Sequence, residues 1–169
     1  MKRIIFVRHA KSSWSNMDLA DHDRPLNKRG KRDSPIMAKK LAEDVKHIDL
    51  WLISTAKRAR KTAKAFQKLI AANETKLEPR IYHAHTSELI QLIHEQDDVH
   101  SSCIFFGHNP AFTYLHNEFA AHLLDNLPTC GIFILSSKAL KWKDVDKSNT
   151  SVETLLYPKM FLNSGTLSF

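Results

Sequence analysis

Two arginines and two histidines of this sequence each stand shortly after an apolar run. They are Arg8, His9, Arg58 and His108. An arginine guanidinium presents a planar fork of N–H donors that fits a phosphate group bidentately. A neutral imidazole is a competent nucleophile toward phosphorus. These side-chain types together predict a site that binds a phosphoryl group and reacts with it.

The apolar runs that precede these residues predict buried strands. They cover residues 2–7, 49–54 and 102–106. Continuously apolar segments of this length are typical of strands that are covered on both faces of a sheet. Ligands of such sheets bind beyond the carboxyl ends of the strands, so we expect the loops after these runs to meet at one edge.

Helical patterns alternate with the strands. Ser34 followed by Pro35 suits an N-cap and a first helical position, and this helix is predicted to end near Val45. A weak strand is predicted near residues 80–82, and a further helix follows it.

Two helices are predicted to begin close to the reactive residues. Thr55 is placed to cap the helix that carries Arg58, and Asn109 is placed to cap the helix after His108. The N-terminus of a helix carries a partial positive charge, so both helix ends would favour an anion in the same crevice.

Near the end of the chain, the alternation of strands and helices gives way to two strands with no helix between them. Residues 131–135 and 152–157 read as strands, and the segment that joins them shows no helical pattern. The fold class predicted from the whole order of elements is α/β: a three-layer α/β/α sandwich whose sheet is mainly parallel with an antiparallel edge.

Length and composition place the chain among ordinary globular proteins. Its 169 residues, 43% hydrophobic and 25% charged, predict a single domain over residues 1–169. No apolar run approaches the ~18 residues of a membrane span, and no signal-peptide pattern opens the chain. We therefore expect a cytoplasmic protein with no membrane partner.

Charge, cysteines and histidines narrow the choice of partner. The 25 basic and 18 acidic residues leave a net charge of +7, which favours an anionic partner of some kind. Cys103 and Cys130 are too few for a disulfide framework. The 10 histidines show no ligand spacing typical of zinc, so no metal site is predicted.

Several sequence motifs carry a family resemblance. The run Phe-Val-Arg-His-Ala-Lys-Ser-Ser-Trp at residues 6–14 resembles the histidine phosphatase superfamily, and within it the short SixA-type phosphohistidine phosphatases. The other motifs occur in the family's order and cover most of the chain: residues 23–30, 54–63, 107–110 and 128–131, with Trp142.

The resemblance implies a phosphoglycerate mutase-like fold and a role for each reactive residue. His9 would be the nucleophile that becomes phosphorylated, while Arg8, Arg58 and His108 would bind the phosphoryl oxygens. No metal or organic cofactor is expected, and phosphate or sulfate is expected to bind in the site. Asn109 stands where acid phosphatases of the wider superfamily have an aspartate, which disfavours that branch.

The proton donor is less clearly indicated. Glu88 is nearest in position to the family's glutamate, but it equally suits a first-turn helix carboxylate. Asp18, Asp21 and His85 stay open as alternatives. Trp14 lies in the loop after the nucleophile. It is predicted either to form a wall of the substrate pocket or only to pack against neighbouring side chains.

The function predicted from the sequence is hydrolysis of a phosphoryl group through a phosphohistidine on His9, acting on phosphohistidine-bearing signalling proteins. Little chain is available for a lid between Arg58 and His108, and an open site suits a substrate carried on a protein. One alternative is a phosphatase for small phosphomonoesters. The other is a non-catalytic anion-binding or nucleic-acid-binding module, although no nucleic-acid-binding motif occurs.

Overall fold

A mixed sheet forms the centre of the molecule in the computed structural model, which describes residues 1–162. Its strands are β1 (Lys2–Arg8), β2 (His47–Ile53), β3 (Ala71–Leu77), β4 (Ser102–Gly107), β5 (Ile132–Ser137) and β6 (Thr150–Leu156). Their order across the sheet is β3-β2-β4-β1-β5-β6. The pairs from β3 to β1 are parallel, whereas β5 and β6 add an antiparallel edge.

Helices cover both faces of the sheet. They are α1 (Lys28–Asp44), α2 (Lys57–Gln67), α3 (Thr86–His94), α4 (Ala111–Phe119) and the short α5 (Lys159–Leu162). Each helix within residues 1–162 is too short or too polar to cross a membrane. The predicted domain also includes residues 163–169, which lie outside the described part, so its limits stay a prediction.

Strand β1 shows why the sheet needs helices on both sides. Its side chains alternate between two hydrophobic clusters: Ile5 and Val7 pack with α1 and α2, whereas Ile4 and Phe6 pack with α3 and α4. All four side chains are fully buried, as expected for a central strand. The predicted three-layer α/β/α class and its antiparallel edge are confirmed.

The first helix begins earlier than the sequence predicts. Asn27 is the N-cap of α1 and accepts the Gly30 N–H at 2.9 Å, while Pro35 lies inside the helix. The Ser34 hydroxyl donates to the Gly30 carbonyl and is no cap. The prediction that Ser34 and Pro35 open this helix is therefore wrong, because Asn27 caps the helix about two turns upstream.

The strand predicted near residues 80–82 is also wrong. Pro79–Ile81 form a turn of 3₁₀ helix, and the strand is β3, immediately upstream. An edge strand has one unpaired side and needs little burial, so β3 carries polar residues and lacks the apolar run that marks a central strand.

The two predicted helix caps take other partners. Ala56 is the N-cap residue of α2, and the Thr55 hydroxyl instead lies 2.9 Å from His22 Nε2. The Asn109 side chain donates to the Leu127 carbonyl at 3.0 Å and so joins the loop before β5. Tertiary partners therefore replace the local caps that the sequence indicates.

Gly30 permits the close approach of α1 to the loop that follows β1. A Cβ atom at this position would lie 2.2 Å from the Lys11 carbonyl oxygen, which is backbone and cannot rotate away. This contact holds the chain directly after residues 8–10 against the helix.

Gly30→Ala should therefore destabilise the protein, although alanine usually stabilises a helix. We expect a loss of about 1–3 kcal/mol in the free energy of unfolding, because the added methyl group overpacks against backbone. Urea denaturation measures it, with the exposed Lys39→Ala in the same helix as a control expected to change stability by under about 0.5 kcal/mol. Equal stability of the two variants would contradict the close approach.

Candidate active site

The pairing of β1 with β4 brings two loops together at the carboxyl edge of the sheet. Arg8 pairs with Gly107 in the parallel register, and the His9 N–H donates to the Gly107 carbonyl at 2.9 Å. The ring centroids of His9 and His108 consequently lie 5.1 Å apart. The edge predicted from the sequence is the place where these residues meet.

Helix α2 adds Arg58 to this edge. The Ser54 N–H donates to the Phe106 carbonyl at 3.0 Å, which holds the end of β2 beside β4 and directs the first turn of α2 to the site. Arg58 is only 6% exposed although it carries a charge. Its Cζ atom lies 5.9 Å from the Tyr82 ring centroid, and that ring lies 5.6 Å from the ring of His108.

The ring of His9 is held in a defined orientation. Its Nδ1 atom lies 2.8 Å from the Ala10 carbonyl oxygen. A carbonyl only accepts, so Nδ1 carries the proton and Nε2 keeps its lone pair. The Ala10 N–H in turn donates to the Thr62 hydroxyl at 2.9 Å, which ties this segment to α2.

Burial keeps both histidines neutral. It lowers the pKa of His9 to about 3, and the nearby Arg58 and Arg8 guanidinium groups lower that pKa further. Burial also lowers the pKa of His108, where His9 and Arg58 add to the effect. At neutral pH the lone pair on His9 Nε2 is therefore free of a proton.

Ser54 orients the second histidine. Its hydroxyl lies 2.7 Å from His108 Nε2 and accepts the Ala56 N–H at 3.3 Å. When the hydroxyl proton points at Nε2, the remaining proton of His108 lies on Nδ1. Nδ1 is then a hydrogen-bond donor.

Within the described part of the chain, three buried donors of this edge lack a hydrogen-bond partner. Among residues 1–162, the buried Arg8 Nε, Arg58 Nε and His108 Nδ1 atoms have no hydrogen-bond partner. Buried donors without acceptors cost free energy in a folded protein. The oxygens of a phosphoryl group are acceptors suited to all of them.

Asp21 is the acidic partner of the site. Its carboxylate accepts from Arg58 at 3.0 Å, from Arg24 at 2.9 Å and from the Tyr82 hydroxyl at 2.6 Å. Its backbone carbonyl accepts a second N–H of Arg58 at 2.7 Å. Burial raises the pKa of Asp21, but the hydrogen bonds from Tyr82, Arg24 and Arg58 outweigh it and hold this pKa well below its usual range. Asp21 is therefore an ionised carboxylate at neutral pH.

Three residues of this arrangement were not selected as site residues from the sequence: Arg24, Ser54 and Tyr82. Arg24 lies inside one of the family-like motifs, and Ser54 stands at a strand end, so both positions carried a signal. Tyr82 carried none, because its approach to Asp21 depends on how the segment after β3 folds back over the site.

The structure also places the other residues predicted from the sequence. The Glu88 carboxylate accepts the His85 N–H at 2.8 Å and thereby caps α3. Asp18 is exposed in the loop after β1. Trp14 is 64% exposed and stacks on the buried Arg24, whose Cζ atom lies 3.6 Å from the ring centroid. The proton-donor role of Glu88 and the pocket role of Trp14 stay predictions.

The sequence and fold match known proteins. The family model of the histidine phosphatase superfamily (branch 1) matches residues 4–97. An uncharacterized chloroplastic protein of Arabidopsis thaliana is 32% identical over 159 residues, covering 85% of this chain and 70% of that protein. An uncharacterized protein of Mycobacterium tuberculosis is 31% identical over 150 residues, covering 83% and 92%. The chain belongs to the histidine phosphatase superfamily.

Solved structures agree with this family. A protein of Agrobacterium tumefaciens assigned as the phosphohistidine phosphatase SixA is 28% identical, with a TM-score of 0.78 over 93% of this chain and 98% of that one. A SixA-assigned protein of Nakamurella multipartitia has a TM-score of 0.79 at 19% identity, over 93% and 96% of the chains. They confirm the SixA-type, phosphoglycerate mutase-like fold, and family and fold together support a phosphatase.

The buried histidines predict a stability that depends on pH. The unfolded chain binds protons on histidine below pH ~6.5, whereas folded His9 stays neutral down to about pH 3. The free energy of unfolding therefore falls as the pH falls through this window. Between pH 7.5 and 5.0 this one residue should remove about 2 kcal/mol.

Urea denaturation of wild type and His9→Asn at pH 7.5 and 5.0 measures this contribution. Asparagine keeps a donor near the Nδ1 position but does not titrate, so the variant should lose about 2 kcal/mol less than wild type on acidification. Asp21, whose pKa is also lowered in the fold, contributes in the same direction, but only below pH ~4, outside this range. Identical pH dependence of the two proteins would contradict a neutral, buried His9.

Proposed function

We propose that this protein is a phosphohistidine phosphatase that forms a covalent intermediate on Nε2 of His9. The observation that carries the proposal is the hydrogen bond from His9 Nδ1 to the Ala10 carbonyl at 2.8 Å. Together with a pKa of about 3, it supports a neutral ring whose Nε2 lone pair faces away from its backbone anchor. Such a ring can act as a nucleophile without prior loss of a proton.

The chemistry follows from this arrangement. Nε2 of His9 attacks phosphorus and forms an N–P bond, while the bond from phosphorus to the leaving group breaks and the leaving group takes the electron pair. Water then attacks the phosphohistidine, releases inorganic phosphate and restores the ring. Arg8, Arg58 and His108 would donate to the phosphoryl oxygens in both steps, where negative charge must be stabilised.

The choice of leaving group follows from the acidic residues. A phosphomonoester leaves as an alkoxide that needs a proton, whereas phosphohistidine leaves as an imidazole that can already carry one. Asp21 has a lowered pKa and is a poor acid at neutral pH, and the Glu88 carboxylate is hydrogen-bonded at the start of α3. This supports a substrate whose leaving group needs no carboxylic acid.

The structural neighbours are consistent with this substrate class. The Agrobacterium protein at 28% identity is assigned as a phosphohistidine phosphatase. SixA has also been solved with tungstate, an oxyanion that resembles phosphate, and that structure shares this fold with a TM-score of 0.72. By analogy, we expect phosphate or sulfate to bind between Arg8 and Arg58. The cytoplasmic location and the absence of a cofactor stay predictions.

A phosphoenzyme on His9 is the first expectation of this mechanism. Incubation with a ³²P-labelled phosphohistidine peptide and rapid quenching should label the wild-type protein, because the intermediate is covalent. Phosphoramidates are acid-labile, so the label should survive base, disappear in acid and map to His9 by mass spectrometry.

Labelling should persist in EDTA, since arginines supply the positive charge.

Two variants serve as controls for the labelling experiment. His9→Asn should take up no label, and Arg24→Lys, outside the four predicted catalytic residues, should still be labelled. A label that maps to another residue, or turnover by His9→Asn at the wild-type rate, would contradict the nucleophile.

The ranking of substrates tests the leaving-group argument. We expect kcat/KM to be highest for phosphohistidine peptides, intermediate for an aryl phosphate and lowest for an alkyl phosphate. General-acid assistance is commonly worth ~10²–10⁴-fold, so the gap between the first and last should fall in that range. Glu88→Gln should change none of these values by more than about twofold, because glutamine also suits the helix cap.

Each contrary result has a defined meaning. Fast hydrolysis of an alkyl phosphate with no turnover of phosphohistidine would favour the small-molecule phosphatase. A selective loss of alkyl phosphate turnover in Glu88→Gln would make Glu88 the proton donor.

A further inference from the structure

A groove lies between α1 and α2, outside the candidate active site. Its cavity volume is about 620 Å³, within the size range of ligand sites in proteins. Its apolar lining comes from both helices and the loop before α1: Pro25, Leu26, Pro35, Ala65 and Leu69. Leu69 is 49% exposed, so this lining includes apolar surface that is open to solvent. This is the α1–α2 groove.

Four lysines surround the apolar lining: Lys31, Lys61, Lys64 and Lys68. Lys61 and Lys64 on α2 and Lys68 directly after it are spaced i, i+3 and i+7, which places them along one side of the helix. Helix α2 contains no acidic residue. Within residues 1–162, none of the four lysines forms an ion pair with a carboxylate. The groove is thus an apolar surface with uncompensated positive charge.

The dimensions suit a short extended peptide. Lys61 and Lys68 are separated by about 10 Å along the helix axis, at 1.5 Å per residue. An extended chain covers that distance in about three residues. A segment with acidic side chains on both sides of an apolar one would place its charges near the lysines and its apolar side chain against Ala65 and Leu69.

The apolar lining favours a polypeptide, because a peptide brings apolar side chains as well as acidic ones. A nucleic acid backbone or a polyphosphate would match the lysines but not the apolar lining.

Backbone and side-chain contacts join the wall of the groove to the loop that follows His9. Leu26 in its wall pairs with Ser12 in an isolated β-bridge, and the Ser12 hydroxyl accepts from Arg24 at 2.7 Å. Lys61 lies one helical turn after Arg58 on α2, and its side chain is exposed whereas that of Arg58 is buried. A segment held in the groove would therefore lie beside the loop that follows β1 and His9.

From these observations we infer that the α1–α2 groove binds a segment of the phosphoprotein substrate that combines acidic side chains with an apolar side chain such as leucine. The inference rests on the proposed function for the identity of the partner, but the binding itself is separable from catalysis. The groove would select phosphoproteins by a sequence next to the phosphohistidine, and the active site would act on the phosphoryl group.

Binding is tested first with a fluorescein-labelled eight-residue peptide that alternates glutamate and leucine. Fluorescence anisotropy should show binding to the wild-type protein. The double variant Lys61→Glu/Lys64→Glu should raise the Kd of the peptide by about tenfold or more. The matched variant Lys39→Glu/Lys143→Glu makes the same change in net charge at exposed positions outside the groove, and its Kd should stay within about twofold. Ala65→Trp, which fills the groove without changing charge, should also weaken binding.

Several outcomes would overturn the inference. They are no binding of the peptide by wild type, equal weakening in the two charge-reversal variants, or equal binding of a peptide in which glutamine replaces glutamate. Binding of phosphatidylglycerol vesicles in preference to the peptide would assign the groove to a membrane surface instead.

Catalysis is tested with two phosphohistidine peptides that differ only in the glutamate or glutamine content of the flanking segment. The kcat/KM of wild type should be about tenfold higher for the acidic peptide, because its KM should be lower. The double variant Lys61→Glu/Lys64→Glu should abolish this preference. Hydrolysis of an aryl phosphate should stay within about twofold in that variant. If His9 is labelled but no preference exists, the groove inference alone fails. If the peptide binds but His9 takes up no label, the proposed function alone fails.

Discussion

The carboxylate of Asp21 compensates the positive charge of two buried guanidinium groups, and the phosphate-binding side of the molecule depends on this interaction. Arg24 and Arg58 are 7% and 6% exposed, and both donate to Asp21. A buried charge without a partner costs several kcal/mol, so the loop after β1 must stay against α2. The Tyr82 hydroxyl joins the same carboxylate and fixes the segment after β3. One acidic side chain thus holds together three segments that are distant in sequence.

Burial also divides the chemical roles between the basic residues. It lowers the pKa of Arg8 as well as that of His9. Arginine begins with a pKa above ~12 and stays charged after the shift, whereas histidine begins near ~6.5 and becomes neutral at every physiological pH. The same desolvation therefore yields a permanent cation to bind phosphate and an uncharged ring to attack it.

The sequence predicted the parts that follow from short-range pattern and sheet geometry. Apolar runs located the central strands, and parallel pairing then required His9 and His108 to meet at one edge. The start of α1 was missed although Asn27 is a local cap signal, because Ser34 and Pro35 offer a competing one. The edge strand β3 was missed because the low burial of a sheet edge is a tertiary effect. The contact between Asp21 and Tyr82 was missed for the same reason, since nothing local to either residue indicates it.

Helix α2 gives the net charge of +7 a physical location. From composition alone, an excess of lysine and arginine indicates an anionic partner without choosing among nucleic acid, membrane and phosphate. In the structure, the face of α2 that carries Arg58 is turned to the sheet edge and compensated by Asp21, whereas its lysine face has no carboxylate within residues 1–162 to pair with. Positive charge that is fixed and desolvated favours a small, defined anion such as a phosphoryl group. Positive charge on flexible lysines beside an apolar surface favours a polypeptide that brings both acidic and apolar side chains.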